Sequence, residues 1–318
     1  MKRPTLFITR LLPQPVMDAI PQQYRVLAPS VDQPSTAEEL QRGFSQADAV
    51  ICTLTDRIET SLLSHATKLK IIANYAVGYN NIDLPAATQR GIVVTNTPDA
   101  LTDATADLTW ALLLTIARRV AEGDTWMRTG TWAGWTPTQM LGADVTGKTL
   151  GIIGMGRIGQ AVAQRATGFR MSVLYAGRHA VSSPPGLSWT WLPLDRVLRT
   201  ADYLSLHVPL TDSTRYLIGP RELAQMKPTA FLINTSRGPV IDEAALVSAL
   251  EARTIAGAGL DVYEQEPSVT PALYSLSNVV LLPHLGSATL ETRVQMGRIC
   301  LDNIAAIFEG RLALNRVN

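Results

Sequence analysis

Six residues near the middle of the chain, Gly154-Met155-Gly156-Arg157-Ile158-Gly159, limit what it can fold into more than any other stretch. They follow a β-prone run, Lys148-Thr149-Leu150-Gly151-Ile152-Ile153, and open a helix-like run from Gln160 to Phe169. Glycines at this spacing suit a strand that turns directly into a helix. The first permits the tight turn, the second lets a pyrophosphate approach the backbone, and the third lets helix pack on strand. The turn is therefore a dinucleotide fingerprint, a weak sign when it stands alone. Because it sits in mid-chain, the nucleotide domain must be inserted into, or appended to, another domain.

Short β-branched runs alternate with helix-like segments on both sides of this turn. Before it, strands are expected at Leu6–Thr9, Arg25–Leu27, Ala49–Thr53, Ile71–Tyr75 and Ile92–Thr95, with helices at Thr36–Phe44, Glu59–Ala66 and Leu84–Arg90. A long apolar segment, Thr102 to Arg119, reads as one helix capped near Thr102 or Asp103. Gly130 to Gly142, with Trp132, Trp135 and Pro137, reads as an arm or loop. The second alternation places strands at Thr149–Ile153, Ser172–Ala176, Tyr203–Val208, Ala230–Asn234, Gly257–Val262 and Val279–Leu282. Helices are expected from Asp242 to Ala252 and from Thr289 to Phe308. Such alternation implies parallel sheets covered on both faces.

A length of 318 residues suits about two domains, and 46% hydrophobic against 17% charged residues is ample for two cores. A net charge of +1 offers no bulk attraction to nucleic acid or an anionic membrane. Two cysteines, Cys52 and Cys300, form no disulfide framework and fit a reduced, cytoplasmic protein. Lys2 and Arg3 precede an apolar stretch broken by Arg10 and Pro13, so no signal peptide is expected. No run reaches the ~20 apolar residues of a membrane span.

Three segments carry more chemistry than packing needs: Asn234-Thr235-Ser236-Arg237-Gly238-Pro239, Gly259-Leu260-Asp261-Val262-Tyr263-Glu264-Gln265-Glu266-Pro267, and Leu282-Pro283-His284-Leu285-Gly286-Ser287-Ala288-Thr289. Each follows an expected strand, and open parallel sheets bind ligands beyond the carboxyl ends of their strands. Hydride transfer to a 2-oxo acid needs these groups. Arg237 can clamp a carboxylate bidentately. A histidine such as His284 can protonate the developing alkoxide near neutral pH. A carboxylate beside it keeps that acid loaded. Glu266 fits this part, with Glu264 as the competing candidate.

On these motifs the chain resembles the D-isomer-specific 2-hydroxyacid dehydrogenase family, from about Asn74 to Asn318 and more weakly before. Arg237, Glu266 and His284 match the family's catalytic Arg, Glu and His in order and spacing. Asn74-Tyr75-Ala76-Val77-Gly78-Tyr79 looks like its substrate-carboxylate loop, although Asn80 stands where many relatives have Asp. The resemblance implies substrate contacts at Leu54, Val77, Gly78 and Arg237, with Tyr75 and the arm helping to shape the pocket. It implies coenzyme contacts at Thr105, Gly154, Met155, Gly156, Arg157, Ile158, Gly159, Gly177, Arg178, His207, Pro209, Thr214, Thr235, Ser236 and Gly286. Asp261 would hold the nicotinamide carboxamide. Asn96 to Asp103, Tyr175-Ala176-Gly177-Arg178 and His284 to Thr289 are most similar to the glyoxylate/hydroxypyruvate reductases.

The implied architecture is α/β: two doubly wound parallel-sheet domains. A Rossmann NAD(P)-binding domain, 99–285, is inserted in a flavodoxin-like substrate domain, 1–98 plus 286–318. The Thr102 helix and the Trp-rich arm would help build a homodimer. The implied reaction is reduction of small 2-oxo acids, glyoxylate and hydroxypyruvate, to D-2-hydroxy acids, with no metal. Alternatives are a reductase of larger 2-keto acids such as 2-keto-gluconate and a nucleotide-sensing scaffold without turnover. A formate dehydrogenase would carry Gln at position 266, and a phosphoglycerate dehydrogenase would add a regulatory domain, for which no room is expected.

The coenzyme turn can be read further. An NAD site places an acid ~20 residues beyond the fingerprint, on the ribose 2′-OH, and an NADP site offers Arg instead. Gly177 stands at that point and Arg178 follows, which favours NADPH, with NADH possible. Of the other histidines, His65 reads as solvated, His179 as a possible coenzyme donor, and His207 as structural or coenzyme-lining.

Overall fold

In the computed structural model of the chain the described residues are 3–318. Met1 and Lys2 lie outside them, and with Lys2 part of the N-terminal expectation. The chain divides into two compact units, one of Met1–Leu101 with Ser287–Asn318, the other of Thr102–Gly286.

The first unit holds β1 (Thr5–Ile8), β2 (Arg25–Leu27), β3 (Ala49–Cys52), β4 (Ile71–Asn74) and β5 (Val93–Thr95). All pair in parallel, in the order β2-β1-β3-β4-β5, which is the flavodoxin-like order. Every residue of β1, β3 and β4 is buried. A strand covered on both faces needs no polar alternation, so these read as continuous apolar runs. Thr36 and Glu39 form a capping box on the Ala37–Gln46 helix. The Leu290–Phe308 helix starts at its Thr289 cap and packs Met296, Cys300 and Ile304 into one core with Leu6, Ile51 and Ile71.

The second unit holds β6 (Thr149–Ile153), β7 (Ser172–Ala176), β8 (Trp189–Trp191), β9 (Tyr203–Leu206), β10 (Phe231–Asn234), β11 (Gly257–Leu260) and β12 (Val279–Leu281). Its parallel order is β12-β11-β10-β9-β6-β7-β8. The order reverses between β6 and β9, as in a Rossmann fold, and ligands bind outside the strand ends at such a switch. β8 was not foreseen. It is a three-residue edge strand in register with Val173–Tyr175, too short to show a period.

Other expected strands are present, with bounds shifted by at most two residues. The long helix is shorter than expected. It spans Thr102–Ala117, so Thr102 and Asp103 lie in its first turn rather than before it. Arg119 then adopts a left-handed conformation (φ 55°), its guanidinium pairs with Glu122, and a second helix runs over Val120–Arg128. This second helix lies beyond the expected one, which ended at Arg119, and was not foreseen. Gly130 to Gly142 is irregular, with Trp132 and Trp135 exposed. Among the described residues, no helix is long and apolar enough to cross a membrane.

Candidate active site

The turn after β6 has the shape its glycines suggest. Gly154 has a φ of 97°, and a Cβ there would stand 2.7 Å from the His207 carbonyl. A Cβ on Gly159 would stand 2.2 Å from the Gly154 oxygen, while one on Gly156 would meet nothing within 4 Å. Gly156 caps the Arg157–Arg165 helix without a side-chain bond, so the first-turn amides and the positive helix end address that open side. The Met155 side chain is buried in the core, which leaves its backbone to line the turn, and Ile158 packs against the same core. This turn fits a dinucleotide pyrophosphate.

The adenosine side follows from β7. Gly177, Arg178 and His179 are exposed beyond its end. Gly177 lies beside the Met155 amide, and its carbonyl accepts the Trp191 indole N–H at 3.2 Å. Trp191, on β8, orders this turn and was missed because β8 itself was missed.

His207 follows β9, and Ser205 Oγ lies 2.8 Å from its Nε2. Burial pushes its pKa down to about 3, so the ring is neutral at ordinary pH and is no proton donor. Downstream, Thr214 Oγ1 bonds the Pro209 carbonyl at 2.6 Å and accepts the Thr211 amide at 2.8 Å. Both Pro209 and Thr214 thus belong to one closed turn.

The three chemistry-bearing segments come together in the Thr102–Gly286 unit. After β10, Asn234 Oδ1 accepts from the Ser236 amide and hydroxyl while its Nδ2 donates to the Arg237 carbonyl. This side-chain-closed turn aims Arg237. Thr235 points inward, its hydroxyl 2.9 Å from that of Thr109. Burial lowers the Arg237 pKa and the charge of Glu266 opposes it.

After β12, His284 Nδ1 lies 2.8 Å from Glu266 Oε2, the two side chains 25% and 26% exposed. Glu266 Oε1 accepts the Tyr263 amide at 3.0 Å. Burial raises the Glu266 pKa, but the bond and charge of His284, the Tyr263 amide and the charge of Arg237 outweigh it and hold the carboxyl below its usual range. Glu264 faces elsewhere, bonded by the Tyr216 hydroxyl, which separates the two candidate carboxylates.

His284 has a φ of 55°, an uncommon conformation for a non-glycine residue. The next two residues hold it there. Asp261 Oδ1 and Oδ2 accept from the Leu285 and Gly286 amides at 2.6 and 2.8 Å, and Thr105 Oγ1 donates to the Gly286 carbonyl at 3.0 Å. Thr105, Asp261 and Gly286, expected as separate coenzyme contacts, thus bond one another beside the histidine. Burial raises the Asp261 pKa against the pull of the two amides.

In the first unit, Leu54 follows β3 and is half-buried. Asp56 accepts from the Thr53 amide at 2.7 Å and Asn81 donates to the Thr53 carbonyl at 3.1 Å, so both order this loop. After β4, Asn74 and Asn96 donate to the Gly78 and Val77 carbonyls, each at 2.8 Å. Tyr75 follows β4 directly. It is buried, and its hydroxyl donates to the Arg293 carbonyl. His65 is not simply solvated: it is half-buried and its Nε2 lies 2.6 Å from Gln41 Nε2.

The family described as "D-isomer specific 2-hydroxyacid dehydrogenase, NAD binding domain" matches residues 110–286. The chain is also 46% identical over 321 residues to a glyoxylate reductase of Thermococcus litoralis, covering 99% of this chain and 97% of that protein. The chain belongs to the D-isomer specific 2-hydroxyacid dehydrogenase family. A glyoxylate reductase of Pyrococcus furiosus is 45% identical, covering 99% of this chain and 96% of that protein. An NADPH-dependent glyoxylate/hydroxypyruvate reductase from Sinorhizobium meliloti, solved with NADP and malonate, superposes with a TM-score of 0.87 at 36% identity, covering 99% of this chain and 97% of that one. The protein is accordingly an NAD(P)-dependent oxidoreductase of this dehydrogenase family, with a Rossmann coenzyme domain.

Proposed function

We propose that this dehydrogenase reduces small 2-oxo acids, glyoxylate and hydroxypyruvate foremost, to D-2-hydroxy acids, with NADPH preferred over NADH. The observation that carries the proposal is the 2.8 Å contact of His284 Nδ1 with Glu266 beside the Arg237 charge. A bound nicotinamide coenzyme supplies the hydride. Gly154, Gly156, Gly159 and the Arg157 helix end hold its pyrophosphate, and Arg178 takes the 2′-phosphate.

Arg237 clamps the substrate carboxylate and polarises the C2 carbonyl. With Nδ1 engaged by Glu266, the His284 ring directs Nε2 to the carbonyl oxygen. As C2 accepts hydride, that oxygen accepts the Nε2 proton and becomes the product hydroxyl. A carboxylate at bonding distance favours the charged form of an imidazole. Asp261 and Thr105 hold the His284 segment still. By resemblance, Leu54, Val77 and Gly78 complete the substrate contacts.

We assign a homodimer to the same protein. An open apolar groove of about 490 Å³, lined by Leu108, Ala111, Leu112, Leu273, Tyr274 and Leu276, supports it. So does Trp135, at 76% exposure, on the irregular segment from Gly130 to Gly142. Sedimentation velocity tests the assignment, with a monomer as the contrary result.

Initial rates with glyoxylate, hydroxypyruvate and 2-keto-gluconate, each with NADPH and NADH, test the function. The expected order puts the two small acids with NADPH first. No turnover with any pair would leave a nucleotide-binding scaffold.

A further inference from the structure

Glu243 opens the Glu243–Glu251 helix, is 6% exposed and takes no part in the chemistry above. Its carboxylate serves one loop. Oε2 accepts the Glu264 amide at 3.0 Å, and Oε1 accepts the Thr270 amide at 3.2 Å and the Thr270 hydroxyl. In return the Glu243 amide donates to Glu264 Oε2 at 3.4 Å, and Tyr216 donates to the other Glu264 oxygen. The anchored residues, 264 and 270, bracket Glu266. A carboxylate accepts at both oxygens, whereas an amide must turn a donor toward one of these amides. A buried carboxylate is expensive to desolvate, and here its bonds all go to the segment carrying the partner of His284.

We propose that Glu243 is a positioning residue: it fixes the Glu264–Thr270 loop so that the Glu266 carboxylate meets His284 Nδ1 at bonding distance. The inference rests on the reading of Glu266 and His284 given above. The charged groups acting on Glu266 are His284 and Arg237, with Asp261 nearby, while Glu243 holds loop backbone. Glu243 therefore acts through geometry. If its hold is lost, Glu266 drifts out of bonding distance of His284 Nδ1.

The experiment compares Glu243→Gln, Thr270→Val, Glu266→Gln and the double variant Glu243→Gln/Glu266→Gln in full-length protein. It reads kcat for glyoxylate reduction across pH, NADPH Kd by fluorescence, and melting temperature. A displacement of ~1 Å can cost ~10²-fold in rate, so Glu243→Gln is expected to lose about tenfold to hundredfold in kcat while NADPH Kd stays put. Its basic limb should move to lower pH in the same sense as that of Glu266→Gln, and the double variant should be no slower than Glu266→Gln alone. Thr270→Val, which keeps shape and removes one donor, should show a smaller shift of the same sign, and it decides the matter if Glu243→Gln does not fold. A limb that moves in Glu266→Gln but not in the folded Glu243 or Thr270 variant overturns the positioning role alone. Additive losses in the double variant do the same. A limb unmoved in Glu266→Gln overturns the Glu266 reading, and this role with it.

Discussion

Gly238 lies backbone to backbone against Tyr263: a Cβ on it would stand 1.8 Å from the Tyr263 carbonyl carbon and 2.4 Å from the Glu264 nitrogen. The contact locks the turn that carries Arg237 to the loop that carries Glu266. Alanine at 238 must force the two apart, and overpacking of this kind costs about 1–3 kcal/mol. Gly238→Ala is expected to lower both melting temperature and kcat. A variant within twofold of wild-type kcat would show that the contact does not set the spacing.

His284→Ala should remove the proposed proton donor and leave the coenzyme turn intact. General acid catalysis contributes ~10²–10⁴-fold, so kcat should fall by about that factor while NADPH still binds. A variant that keeps more than a third of wild-type kcat would rule His284 out as the acid.

Arg237→Lys keeps the charge and loses the fork. Lysine lacks the planar bidentate geometry, so kcat/KM for glyoxylate should drop by an order of magnitude or more, about 1.4 kcal/mol of transition-state binding. An unchanged kcat/KM would show that a point charge suffices.

Arg178→Ala should raise the KM for NADPH far more than that for NADH. Trp191→Phe, which removes the N–H bonded to the Gly177 carbonyl, should shift the same ratio more weakly. Wild-type protein with a higher kcat/KM for NADH would refute the preference.

The half-buried, neutral His207 makes stability pH-dependent. Its folded pKa of about 3 lies below the ordinary value of about 6.5. The unfolded chain therefore takes up a proton first as pH falls. The stabilisation is complete above about pH 6.5 and is lost progressively down to about pH 3. Guanidinium midpoints at pH 7 and pH 5 should differ less for His207→Gln than for wild type. Equal differences would mean that the ring is hydrated.

The groups proposed to do the chemistry were legible in the sequence and the groups that hold them were not. An Arg, a Glu-Pro pair and a His after three apolar runs stand out because those residues are rarely placed at strand ends for packing. The parallel pairing in both sheets also followed from the βα rhythm, while their doubly wound order came with the family resemblance. Glu243, by contrast, looks like an ordinary first-turn acid beside the Asp242 cap. Its bonds depend on which loop amides the tertiary fold leaves to be satisfied. Asn234 gave a signal, an Asx residue at a strand end, but not the direction of its bonds. Trp191 was hidden because a three-residue edge strand has no period to detect. Tyr75 makes the same point for side-chain direction. Its position in a substrate-loop motif says nothing of the face it takes, and the Arg293 carbonyl that receives its hydroxyl lies far away in sequence.

The left-handed backbone of His284 also bears on how such a chain changes over generations. The residues that tolerate this conformation best are Gly, Asn and Asp, and none of them resembles an imidazole as a proton donor at neutral pH. With His284 as the proposed acid, the substitutions most easily accepted by shape are those expected to silence turnover, while the fingerprint turn and the Asp261 clamp lie on other residues. Loss of catalysis here needs no loss of fold.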